Sequence, residues 1–221
     1  MRMRKKKNLG PRMEKCAPVH VRDGFALKGR WREELMPQAR EVRLELGCGK
    51  GRFTVETARR NPEVLFIAIE KVPDALVIAM ERAMAEEVRN VFFVVGDAAL
   101  LPDYFAPEEA DLIYINFCDP WPPRGQAKRR LTHRGFLETY RKVLKPGGRI
   151  EFKTDNQPLF EFSLKEFPAA GYELSEVTRN LHENGPQGVM TDYEAKFYEQ
   201  GLPINRCVGT MVEWTGLEPE E

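Results

Sequence analysis

The chain has 221 residues, of which 42% are apolar and 31% charged. That is enough apolar side chain to close one sizeable core, and it excludes wholesale disorder. Lysine plus arginine and aspartate plus glutamate stand at 34 each, so net charge names no partner. Distribution says more. Residues 1–15 hold Arg2, Arg4, Lys5, Lys6, Lys7, Arg12 and Lys15 against Glu14 alone, and the tail answers with Glu218, Glu220 and Glu221. A block of one sign is either a solvated terminus or an arm that touches nucleic acid. Residues 1–20 therefore read as a basic arm, disordered in the first case, and residues 21–221 as a single domain. No apolar stretch follows the basic start as a secretory leader requires, and the longest apolar runs, at 64–69 and 91–95, are far too short to span a bilayer. Cysteines at 16, 48, 118 and 207 match no zinc-ligand spacing. The expectation is a reduced, cytoplasmic protein with buried thiols, no membrane and no metal; monomer and homodimer both stay open.

From residue 42 onward short β-branched or aromatic runs alternate with helical patterns, the habit of a parallel sheet covered on both faces. Strands are expected at 42–46, 64–70, 91–95, 111–117 and 149–154. A glycine turn opens a helix after the first. In 74–87 the positions Leu76, Ala79, Met80 and Ala83 recur at helical spacing, so one face can pack on the sheet. Phe136, Leu137, Tyr140, Val143 and Leu144 stripe another helix, which Lys145-Pro146-Gly147-Gly148 is expected to end. A helix over 157–169 follows. Then 172–178 reads as a strand, a polar stretch carries Gly185, Pro186 and Gly188, and 204–214 reads as another strand. Two strands in sequence without a full helical crossover suggest an antiparallel hairpin at the sheet edge. The sum is an α/β fold: a mostly parallel seven-stranded sheet, helices on both faces, with ligands beyond the carboxyl ends of the strands.

Those ends carry a pattern. The first strand runs into Glu45-Leu46-Gly47-Cys48-Gly49-Lys50-Gly51, where glycine lets the backbone approach a flat ligand, although a tight connection alone would use the same residues. A dinucleotide fingerprint needs a third glycine where this chain has Arg52, which speaks against an NAD-dependent oxidoreductase. Glu70 ends the second strand, Gly96-Asp97-Ala98 the third, and Asn116-Phe117-Cys118-Asp119 the fourth. Any one such carboxylate can be a helix cap. Together they would repel a pyrophosphate, whereas a cationic ligand with a ribose diol fits.

Glu45-x-Gly47-x-Gly49-x-Gly51, then Glu70, then Gly96-Asp97-Ala98, resembles the Rossmann-like methyltransferases that use S-adenosyl-L-methionine. More specific are Asn116-Phe117-Cys118-Asp119-Pro120-Trp121-Pro122, Lys128-Arg129-Arg130-Leu131, Phe152-Lys153-Thr154-Asp155-Asn156, and Thr191-Asp192-Tyr193-Glu194-Ala195-Lys196-Phe197 with Gly201-Leu202-Pro203-Ile204. These resemble the bacterial tRNA (guanine-N7)-methyltransferase family from about residue 22 to 212. The resemblance implies methyl transfer from S-adenosyl-L-methionine to N7 of the guanine at position 46 in the tRNA variable loop. It implies cofactor contacts at Glu45, Gly47, Gly49, Glu70, Asp97 and Asp119, with Asp119 also catalytic, and substrate contacts at Asp155, Thr191, Asp192, Tyr193 and Glu194. At one place the chain departs from the family: Pro123, Gly125 and Gln126 stand where a lysine and an Arg-His pair are common, and Arg124 offers charge nearby.

The residues bear on this chemistry independently. Arg124, Lys128, Arg129, Arg130 and Arg134 fall within eleven residues that contain no acid, beside the proposed site. They are either a solvated face or a phosphate-contacting one, and the second reading assigns Arg124, Lys128, Arg129 and Arg130 to RNA. Thr191 with Glu194 is also a capping-box pattern. Asp119 has the alternative of a cap before the Pro120 turn, Asp155 that of a cap after its strand, and Trp121 either stacks on a base or is a core or lid aromatic. His20, His133 and His182 form no triad or metal pattern. Alternatives are methylation of another RNA base or of a small molecule, and a non-catalytic RNA-binding module, for which the altered segment 123–126 is the best argument.

Overall fold

A computed structural model describes residues 7–122 and 124–213. The strands are β1 (Glu41–Leu46), β2 (Val64–Glu70), β3 (Val91–Val95), β4 (Ala110–Asn116), β5 (Leu144–Thr154), β6 (Tyr172–Thr178) and β7 (Asn205–Met211). They form one sheet in the order β3-β2-β1-β4-β5-β7-β6. Pairs from β3 through β5 are parallel, and β7 runs antiparallel to both β5 and β6. The helices are α1 (Leu9–Lys15), α2 (Trp31–Leu35), α3 (Arg52–Arg60), α4 (Pro73–Ala85), α5 (Leu101–Tyr104), α6 (Arg134–Arg141), α7 (Gln157–Ala169) and α8 (Asp192–Glu199).

Strand β2 is apolar at every position before Glu70 because both faces are covered. In β2, Leu65, Ile67 and Ile69 point into a core with Trp31, Leu137 and Phe160, while Val64, Phe66 and Ala68 point into a second core with Val55, Leu76 and Met80. The first core lies under α2, α5, α6 and α7, the second under α3 and α4. At the β3 edge, residues 19–21 lie parallel to the strand: the Phe93 amide donates to Val19 and the Val21 amide to Phe93, both at 2.9 Å. That pairing covers backbone groups an edge would otherwise expose. From the basic start, α1 lies on α4, held by a two-pronged Arg12–Glu81 contact at 2.6 and 2.7 Å. Residues 1–6, with Arg2, Arg4, Lys5 and Lys6, lie outside the described residues, as do Pro123 and the acidic tail.

Besides shifts of one to three residues at other element ends, two features differ from expectation. Helix α6 stops at Arg141, and Lys145-Pro146-Gly147-Gly148 is a bulge inside β5, where the pairing with β4 jumps from Ala110↔Leu144 to Leu112↔Arg149. Val143 and Leu144 continue the apolar stripe of α6 because strand and helix face the same core, so helical spacing overruns the helix. The connection from β6 to β7 carries α8, so these neighbours are joined by a folded segment and not a tight turn.

That segment is fixed from beneath. Lys153 on β5 donates to Glu194 Oε2 at 2.6 Å, with the two side chains 8% and 0% exposed. Lys153 also donates to the Val189 carbonyl at 3.1 Å. His182 Nδ1 accepts the Gln187 amide, which leaves Nε2 as the N–H donated to Glu194 Oε1 at 3.0 Å in the neutral ring. Burial pulls the Lys153 ammonium below its ordinary pKa despite the Glu194 charge. Removing one partner of such a pair leaves the other buried and uncompensated. Lys153→Met should therefore lose about 3–5 kcal/mol in urea denaturation, and adding Glu194→Gln should recover part of it. A single-variant loss below about 1 kcal/mol would mean that the pair is exposed in solution. Gly51 is a second fixed point: its φ is +75° and a Cβ there would sit 2.5 Å from Ala79 Cβ. Gly51→Ala should lower the thermal midpoint by several degrees, on the scale of about 2 kcal/mol for strain plus overpacking.

Candidate active site

The carboxyl ends of β1 to β4 surround a cavity of about 500 Å3. Its floor begins at Gly47, whose amide continues the ladder to the Ile69 carbonyl at 2.8 Å before the chain turns at φ +78°. A Cβ on Gly47 would meet no atom within 4 Å, so any side chain there would fill cavity space, not strike protein. Glu70 at the end of β2 accepts from the Gly49 amide at 3.0 Å and the Val72 amide at 2.9 Å. One carboxylate thus holds the glycine turn and the entry to α4, and it still lines the cavity.

Asp97, after β3, accepts from the Ala99 amide at 3.0 Å and pairs with Lys71 at 2.7 Å. Burial would raise its pKa, but Lys71 and the amide outweigh this and hold the carboxyl below its usual range. Val72, Ala98 and Ala99 give this end of the cavity an apolar lining. Opposite, Asn116, Phe117, Cys118 and the exposed Asp119 leave β4, with Trp121, Lys128 and Arg129 closing the wall. Phe117 and Trp121 hold left-handed φ of 52° and 42°, uncommon for residues with bulky side chains. The Cys118 thiol is pushed up to about 12 by burial, with the Asp119 carboxylate adding to the shift.

Glu45 is placed differently. It is buried beneath the rim, accepting from Thr54 Oγ1 and, at 3.0 Å, from Asn116 Nδ2. Burial raises its pKa against those hydrogen bonds. It orients Asn116, whose Oδ1 is buried without a partner. Sequence reasoning quoted Asn116 only as part of a motif; the signal that could have found it is an amide where the buried end of a strand meets a ligand-side loop. Lys71 was missed because its pairing with Asp97 crosses two strand ends.

The second group of residues lies along the adjoining rim. Phe197 of α8 faces Phe117 with ring centres 6.2 Å apart, which brings α8 beside the cavity mouth. Thr191 caps α8 in a complete capping box with Glu194. Glu194 is fully buried, held by Lys153 and His182, while Tyr193 is 62% exposed. Asp192 sits 3.9 Å from both Arg52 and Arg82. Asp155 is exposed directly after β5. In the basic run, Lys128 and Arg129 face the cavity, with the Arg129 guanidinium 3.4 Å over the Trp121 ring. Arg130 turns the other way, onto Phe162. The side chain of Arg124 lies outside the described residues. Among the described residues no cluster of His, Cys, Asp and Glu could hold a metal, and no helix is long and apolar enough to cross a membrane.

The arrangement fits a flat cationic nucleoside: an open glycine floor, three carboxylates on the wall and an unpartnered amide oxygen at its base. A family model described as "Putative methyltransferase" matches residues 39–207. The tRNA (guanine-N(7)-)-methyltransferase of Clostridioides difficile is 42% identical over 209 residues, covering 94% of this chain and 97% of that protein. The one from Geobacillus sp. is 45% identical over 181 residues, covering 81% and 82%. Among solved structures, the 16S rRNA methyltransferase KamB superposes with a TM-score of 0.65 at 18% identity over 82% of this chain and 92% of its own, a likeness of fold. Identity at the level of the first two, sustained over most of both chains, means that this chain belongs to the family of tRNA (guanine-N(7)-)-methyltransferases.

Proposed function

We propose that the protein methylates N7 of a guanine in tRNA, that of position 46 in the variable loop, with S-adenosyl-L-methionine as donor. The observation that carries this is the acid-walled cavity over the glycine turn, in a chain 42% identical to a tRNA (guanine-N(7)-)-methyltransferase. Bound there, S-adenosyl-L-methionine supplies an electrophilic methyl group on a sulfonium. Gly47 and Gly49 would form its floor, Glu70 would accept from the ribose hydroxyls, and Asp97, here paired with Lys71, would accept from the adenine amino group. Asp119 lies across the cavity, where its carboxylate favours positive charge at both ends of the transfer.

Guanine N7 has an in-plane lone pair and no proton, so no base need activate it. The rate then rests on alignment and on excluding water. Asp119 orients and stabilises charge; it abstracts no proton. Asp155, Asp192, Tyr193 and the capped turn at Thr191 form the rim that receives the base, with Tyr193 exposed for stacking. Glu194 acts on that rim from below. Arg124, Lys128 and Arg129 meet the RNA backbone, and the full charge of Arg130 adds to that field.

Single-turnover transfer to unmodified tRNA, followed by mapping of the modified nucleotide, should find one methyl group at N7 of guanine 46; a methyl at another atom would overturn the assignment. Asp119→Asn should slow turnover about 100-fold, the scale for removing one electrostatic contact, while donor affinity by calorimetry falls by a smaller factor. Undiminished turnover with weakened donor binding would make Asp119 a cofactor residue only. For Lys128→Gln, tRNA affinity should fall and the slope of log affinity against log salt should shrink by about 1. An unchanged slope would remove Lys128 from the backbone contacts.

A further inference from the structure

The loop that carries Asp119 has little means of fixing itself. Pro120 and Pro122 have no amide to donate, and the chain enters and leaves through the left-handed φ of Phe117 and Trp121. Something outside the loop must hold those conformations. On the entry side the Phe117 amide donates to the Lys153 carbonyl at 2.9 Å, and the Phe117 ring lies against Phe197. On the exit side the contacts converge on one side chain. Arg130 Nε donates to the Pro120 carbonyl at 2.8 Å and Arg130 Nη2 to the Trp121 carbonyl at 3.1 Å. Its guanidinium lies 4.4 Å from the centre of the Phe162 ring on α7. The Arg130 backbone is anchored in turn, its amide donating to Ala127 and its carbonyl accepting from His133.

We infer that Arg130 is a positioning residue: its guanidinium bridges the two carbonyls that follow Asp119 and so sets where the Asp119 carboxylate stands in the cavity. Its neighbours in the basic run do other work. Lys128 and Arg129 are exposed on the cavity wall, while Arg130 is half-buried between the loop and α7. Lysine cannot replace it, because a single ammonium on a flexible stem cannot make the planar two-pronged contact or stack on Phe162 in the same way. This rests on the reading of Asp119 as the residue at the transfer centre.

Charge and geometry are separated by two substitutions. Arg130→Lys keeps the charge, so a phosphate contact would survive it. As a clamp it should instead lower kcat about 10- to 100-fold, the scale of a misplacement near 1 Å, with KM for tRNA and the salt slope unchanged. Phe162→Leu, which keeps Arg130 but removes its plate, should lower kcat in the same direction by a smaller factor. Hydrogen exchange at the Asp119 and Trp121 amides, followed by mass spectrometry, should be faster in both variants while exchange in β2 is unaltered. Wild-type kcat and exchange in Arg130→Lys would overturn the inference. So would an Arg130→Gln enzyme with wild-type kcat, whose whole loss lies in KM and in the salt slope. Failure of the wild type to methylate tRNA would sink the functional reading alone, since the exchange measurement tests the clamp without turnover.

Discussion

Glu70 holds the cavity together before any ligand arrives. Its two oxygens each accept a main-chain amide, one from the glycine turn after β1 and one from the start of α4. Hydrogen bonds to a charged acceptor are each worth about 1.5–3 kcal/mol, and these two join consecutive strand-to-helix connections. The geometry of the floor and the orientation of the carboxylate are therefore one quantity. A residue of this kind is structural and chemical at once, and no substitution separates the roles cleanly.

The remaining charges divide by depth. Pairs such as Arg30–Glu34 and Arg59–Glu56 lie on helix surfaces, where water leaves them little net energy. Glu45 and Glu194 are another matter, each buried with both carboxylate oxygens hydrogen-bonded. Their networks meet in the sheet, since Asn116, held by Glu45, pairs in register with Lys153, which holds Glu194. The end of β4, the end of β5 and the rim formed by α8 are thereby fixed relative to one another. Both carboxylates are buried and held by protein groups: Glu45 by Thr54 and Asn116, Glu194 by Lys153 and His182.

Strands β2 and β3 were legible because burial on both faces leaves an apolar run that nothing else explains: residues 64–70 and 91–95 form strands at those bounds. The glycine turn and the acids at strand ends were legible as local chemistry. Short elements were not; α2 and α5 have 5 and 4 residues, and their positions come from Trp31 reaching the Tyr104 carbonyl across the chain. Helix α8 announced itself only by its capping pattern. The burial of Glu194 depends on Lys153, 41 residues away, and the direction of Arg130 on Phe162; spacing along the chain carries no trace of either. In the basic run a solvated face, a phosphate contact and an internal brace share one composition.

Cys118 lies one residue from Asp119, on the wall of the cavity. Sulfur anions are far better acceptors of an alkyl group than a ring nitrogen, so a thiolate in that position would be the preferred target of any reactive methyl held nearby. With its pKa pushed up to about 12, the Cys118 sulfur stays protonated at neutral pH and is a poor nucleophile. Desolvation thus keeps a thiol, not a thiolate, beside Asp119 on that wall.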